Sequence, residues 1–131
     1  MSESARRPVS NPAFTIAGRL KSFRHAFAGI GLMLRTQHNA WLHLAATLAV
    51  IAAGLALHIR AEDWRWLVVA ILLVWVSEAM NTAFEHLCDV VSPDFHASVK
   101  LSKDIAAGAV LITAIGAVVI GALVFGPYLG L

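Results

Sequence analysis

The sequence predicts an all-α integral membrane protein with three transmembrane helices and an N-terminal amphipathic surface helix. Three observations predict it. Of its 131 residues, 59% are hydrophobic and only 14% charged, against about 25% charged in soluble domains. The mean hydropathy is +0.74. The apolar residues lie in long runs, with most of the basic residues gathered ahead of the first run. The length accommodates one domain, and the apolar content argues against disorder. The single cysteine, Cys88, excludes a disulfide framework and a multi-thiolate zinc site.

Residues 1–13 are polar, carry two prolines and read as a disordered cytoplasmic tail, leaving residues 14–131 as the membrane domain. In that domain Leu20, Phe23, Phe27, Ile30 and Leu34 recur at helical spacing, with Lys21, Arg24, His25 and Arg35 on another side. This pattern predicts a basic amphipathic helix over about residues 14–35, lying on a membrane surface. Such a helix suits anionic lipid, and no nucleic-acid partner is expected. The apolar stretch 26–34 does not read as a signal-peptide core, because no small-residue cleavage site follows and Arg35 interrupts it.

The first span is expected over about residues 36–59, which are 24 residues without Lys, Arg, Asp or Glu. Roughly 20 suffice to cross a bilayer. The second is expected over about 64–87, where the charge-free run 66–77 is too short alone and must continue through Glu78. The third falls over about 104–126, within the charge-free run 105–131, and Pro127 with the final glycines predicts fraying at its end. Arg6, Arg7, Arg19, Lys21, Arg24 and Arg35 precede the first span, which puts the N-terminus in the cytoplasm. The charge-balanced turn 60–65 then lies outside, with Trp64 and Trp66 as interface anchors, and Lys100 and Lys103 fall inside. Small residues at spacings of four (Ala45, Ala49 and Ala53; Ala117 and Gly121) permit close helix approach. Three helices enclose polar groups poorly, so an oligomer is expected.

The second span carries the chemistry. At 100° per residue, Glu78, Asn81, Thr82, Glu85 and Asp89 project within an arc of about 100°. A carboxylate at membrane depth costs roughly 2.5–3.5 kcal/mol on insertion scales, and an intramembrane ionisable residue is by default a functional candidate. Carboxylates take hard divalent cations, and Mg²⁺ combines one or two of them with substrate phosphates. A poorly solvated carboxylate suits general acid–base work. On depth alone Glu85 reads as a metal ligand and Glu78 as a base. Taken alone, the stripe leaves three readings open: catalysis, a proton or cation pathway, and pairing with a basic residue on a neighbouring helix.

A second polar cluster, Lys100, Lys103 and Asp104, stands at the mouth of the third span. Lys100 and Asp104 are an i,i+4 pair, while Lys103 suits a phosphate as a point charge. There is no P-loop and no His-Glu-x-x-His pattern, and the six histidines are scattered, reading as interfacial or capping residues.

The segment Glu78-x-Met80-Asn81-Thr82-Ala83-x-Glu85-x-x-x-Asp89, followed by Lys103-Asp104-x-Ala106-Ala107-Gly108-Ala109-Val110-Leu111, resembles the prokaryotic diacylglycerol kinase family, which includes undecaprenol kinases. The resemblance covers about residues 14–125, with Phe84 where the usual signature has an aliphatic residue and Cys88 where it has valine. It implies a homotrimer of three-span subunits in the bacterial inner membrane. It also implies Mg²⁺-dependent transfer of the ATP γ-phosphate to a lipid hydroxyl. By position Glu78 matches the family's catalytic base, Glu85 a metal-binding glutamate, and Asn81 and Asp89 polar members of the active site. Lys103 and Asp104 match nucleotide-contacting residues, and Asp94 to His96 a stretch that touches the nucleotide, so that Glu85, Asp94, His96, Lys103 and Asp104 form the implied ATP site. Gln37 stands where the family has a second metal-binding glutamate; an amide oxygen coordinates Mg²⁺ but adds no charge, so weaker metal binding is expected. The arginine often found in the surface helix falls at Gly18, beside Arg19. Asn39, His43, the segment Ser92-Pro93-Asp94-Phe95-His96 and Ala106-Ala107-Gly108-Ala109 look more like the undecaprenol kinase branch, with diacylglycerol as the alternative substrate.

Overall fold

A computed structural model describes residues 15–131, so the tail expected at 1–13 and the start of the surface helix at 14 lie outside the described residues. Four helices follow one another: α1 (Ile16–Thr36), α2 (His38–Ala56), α3 (Ala61–Val91) and α4 (Ala97–Leu129), and no strand occurs among the described residues. The last three are long and apolar enough to cross a membrane.

Each boundary has a local cause. Thr15 caps α1, its Oγ1 accepting from the Gly18 backbone N–H at 3.1 Å, and a Cβ on Gly18 would sit 2.9 Å from that oxygen. One extended residue, Gln37 (φ −107°, ψ 116°), separates α1 from α2, while its N–H still closes on Met33 O at 2.9 Å. The turn after α2 is tight. His58 takes a left-handed conformation (φ 50°), the region where His, Asn and Asp are enriched among non-glycine residues, and Ile59 N donates to Gly54 O at 3.2 Å. His96 caps α4, its Nδ1 accepting from Ser98 N at 3.2 Å.

The helices overrun the spans expected from hydropathy. Helix α3, with 31 residues, is roughly 46 Å long, and α4, with 33, roughly 50 Å, against a hydrocarbon core of about 30 Å. Backbone hydrogen bonding continues through polar residues, so apolar run and helix need not share an end. The fraying expected at Pro127 does not occur: α4 runs on to Leu129 and closes on left-handed Gly130, with Leu131 N donating to Gly126 O at 3.0 Å. Proline's fixed φ is compatible with helix and costs α4 one late backbone bond.

The main packing is α3 against α4, with α2 meeting α3 less extensively. A small apolar core of Ile59, Leu67 and Val124 lies at the α2–α3 turn, bordered by Val50, Leu57, Trp64, Ile120, Phe125 and Tyr128. Both turn tryptophans were expected as interface anchors. Trp66 is exposed, but Trp64 turns inward over Gly54, where an added Cβ would meet its ring at 2.7 Å. Tyr128 ties this end together: its hydroxyl donates to Asp63 Oδ2 at 2.6 Å and accepts from Arg60 N at 3.1 Å. The hydrogen bond and charge of Asp63, with Tyr128 adding to it, hold the Arg60 guanidinium above its ordinary pKa.

Most large apolar side chains of α2, α3 and α4 point outward, whereas Glu78, Asn81 and Thr82 are buried. That distribution inverts a soluble protein's and suits a hydrocarbon solvent.

Candidate active site

Among the described residues, the buried polar ones come from one face of α3. Glu78 is only 1% exposed, and Asn81 and Thr82 lie within the next turn on the same face. One turn further along, Glu85 is half-buried, its Oε1 accepting from Asn81 Nδ2 at 3.2 Å. Asp89 closes the file, exposed and bridged to Lys103 of α4, Nζ to Oδ1, at 2.7 Å. The file therefore descends roughly 16 Å from Glu78 to Asp89 at 1.5 Å per residue, from an enclosed apolar level to the open end near the α3–α4 loop.

Two neighbours complete the enclosed level. Helix α2 brings His43 to Glu78, Nε2 to Oε2, at 3.6 Å. The imidazole meets Trp75 edge-on, ring centres 6.4 Å apart. Trp75 is itself anchored, donating from Nε1 to Thr47 Oγ1 at 3.0 Å, and Thr47 donates to His43 O at 2.7 Å. From α4, Thr113 shares a 2.7 Å hydrogen bond with Ser77. Above this level an apolar groove of about 280 Å³ opens between α2, α3 and α4, lined by His43, Val74, Ala114, Gly121 and others.

Five buried atoms here have no hydrogen-bond partner: His43 Nε2, both Glu78 carboxylate oxygens, Asn81 Oδ1 and Thr82 Oγ1. An unsatisfied buried polar group costs about 1–3 kcal/mol. Five in one place leave hydrogen-bonding capacity that a polar ligand would satisfy. Oxygen donors of this kind fit a hard cation, although no group of three or more His, Cys, Asp or Glu gathers as a metal cage among the described residues. A cation held by one or two carboxylates and by phosphate oxygens does not need such a cage.

The structure brings Glu78, Asn81 and Glu85 onto one face, and it joins Asp89 to Lys103, which the sequence placed in separate clusters. Lys100 and Asp104 form the expected pair within one helix, at 2.6 Å. Asp94 and His96 are exposed in the α3–α4 loop, where His96 serves as the cap of α4. Gln37 is half-buried at the α1–α2 break, with no hydrogen bond described for its side chain. Sequence reading missed His43 as the partner of Glu78. The available signal was a histidine well inside an otherwise apolar span, facing a second span that carries a carboxylate.

Residues 24–125 match the family described as prokaryotic diacylglycerol kinase. The chain is 39% identical over 125 residues to the diacylglycerol kinase of Synechocystis sp., covering 94% of this chain and 71% of that protein. It is 38% identical over 109 residues to the undecaprenol kinase of Bacillus subtilis, covering 83% of this chain and 89% of that one.

Proposed function

Since the chain belongs to the prokaryotic diacylglycerol kinase family, and so to the ATP-dependent lipid kinases, we propose that it phosphorylates the terminal hydroxyl of undecaprenol with Mg-ATP as donor. The observation that carries this reading is Glu78: a carboxylate buried at an apolar level, with neither oxygen hydrogen-bonded. It heads a polar file that ends at an exposed Lys–Asp bridge.

The lipid hydroxyl enters sideways from the bilayer and meets Glu78, which accepts its proton as the hydroxyl oxygen bonds to the γ-phosphorus. The β–γ bridging bond breaks and ADP leaves. Phosphoryl transfer of this kind depends mainly on positioning and charge compensation. Lys103 leaves Asp89 to meet the phosphates, with Asp104, Asp94 and His96 around the nucleotide. Glu85 and Gln37 are the residues to hold Mg²⁺, which neutralises phosphate charge when bound. Asn81 fixes Glu85 through their hydrogen bond.

The surrounding arrangement belongs to the same reading. Residues 14–131 form the membrane unit, with α1 lying on the inner leaflet; its Leu20, Phe23, Phe27 and Ile30 are uncovered by the rest of the chain. The N-terminus and the α3–α4 loop face the cytoplasm, in a bacterial inner membrane. Three subunits assemble and cover part of the outward apolar surface.

Diacylglycerol is the second reading, favoured by the Synechocystis relative. The test is transfer of labelled phosphate from Mg-ATP in detergent micelles, with each lipid offered separately. Labelled undecaprenyl phosphate is the expected product. Preferential labelling of diacylglycerol selects the second reading, and no labelling of either overturns both.

A further inference from the structure

We propose that His43 is a positioning residue for Glu78, fixing one carboxylate oxygen so that the other is presented to the lipid hydroxyl. The inference rests on the assignment of Glu78 as the base. Oε2 of Glu78 lies 3.6 Å from His43 Nε2, an ion-pair distance just beyond hydrogen bonding. Neither atom has a hydrogen-bond partner, and neither has Oε1. Closing the gap by roughly 0.6 Å brings Nε2–H into donating range of Oε2 and leaves Oε1 for the substrate.

The described ion pairs of α4 join Lys100 to Asp104 and Lys103 to Asp89, and neither reaches Glu78. The imidazole is itself held. Trp75 abuts its edge, and Thr47 anchors the indole while bonding back to the His43 carbonyl. Two helices thus fix the ring that fixes the carboxylate. A base has to reach its proton at about 2.6–3.2 Å, and a carboxylate free to turn about its side-chain bonds meets that condition only part of the time. His43 removes that freedom.

The test separates the N–H from the ring. His43→Phe keeps the edge packing on Trp75 without a donor, and His43→Gln keeps a donor without the ring. Lipid phosphorylation kinetics and melting temperature in detergent are read for both. A positioning role predicts that Phe lowers kcat about 10²-fold, the scale expected for a misplaced reacting group, with the KM for Mg-ATP unchanged, and that Gln restores a large part of the loss. If Phe and Gln fall together, or Phe does not fold, His43→Ala with added imidazole decides. Recovery of kcat supports positioning, and a folded variant without recovery overturns it. Wild-type kcat in the Phe variant also overturns it, leaving Glu78 as base untouched. A wild type that phosphorylates no lipid overturns the kinase reading and this one with it.

Discussion

Glu78 and Gln37 bound what single residues contribute. Glu78 is almost wholly buried, with neither carboxylate oxygen hydrogen-bonded. Glu78→Gln keeps the shape and removes the base. We expect kcat to fall by about 10²–10⁴-fold, the usual range for general-base loss, with the melting temperature held or raised. A variant with near-normal turnover would remove Glu78 from the mechanism. At Gln37 the expectation runs the other way. Adding a carboxylate with Gln37→Glu should lower the Mg²⁺ concentration for half-maximal rate several-fold, because Mg²⁺ favours anionic oxygen. An unchanged Mg²⁺ titration places Gln37 away from the metal. Neither residue's surroundings followed from its neighbours in sequence. The carboxylate stripe was legible because i, i+3, i+4 and i+7 positions share a helix face whatever the fold; His43 was not, because it reaches that face from another helix.

At the level of elements, Trp64 and Gly54 make a close contact where α2 turns into α3. Gly54 is buried because Trp64 lies against it, and a Cβ there would approach the ring to 2.7 Å. Gly54→Val should therefore destabilise by about 1–3 kcal/mol, the usual cost of overpacking, visible as a lower melting temperature in detergent. Because Gly54 lies at the opposite end of α2 from His43, the folded variant should retain turnover at low temperature. A melting temperature equal to wild type means Trp64 has room to swing out. Helix type and order were legible from periodicity and charge, whereas the ends were not. Hydropathy marks what enters hydrocarbon, and backbone hydrogen bonds with local caps at Thr15, His96 and Gly130 mark where helices stop. Pro127 shows the difference, reading as a breaker in sequence yet lying inside the last turn of α4.

For the whole molecule, the outward apolar surface of α2, α3 and α4 requires lipid or further subunits, and α2 is held by few contacts within its own chain. Native mass in detergent is expected to give three subunits, and a monomer that phosphorylates lipid at full rate overturns the trimer. A helical membrane chain, its three apolar spans and the acidic face of the second were all legible in the residue order. These are properties of composition and of the 3.6-residue repeat, which act locally. That His43 faces Glu78, that Lys103 bridges to Asp89, and that Trp64 covers Gly54 emerged from the packing of the helices. Those meetings depend on the rotation and axial register of helices far apart in sequence, and packing at van der Waals distance sets both.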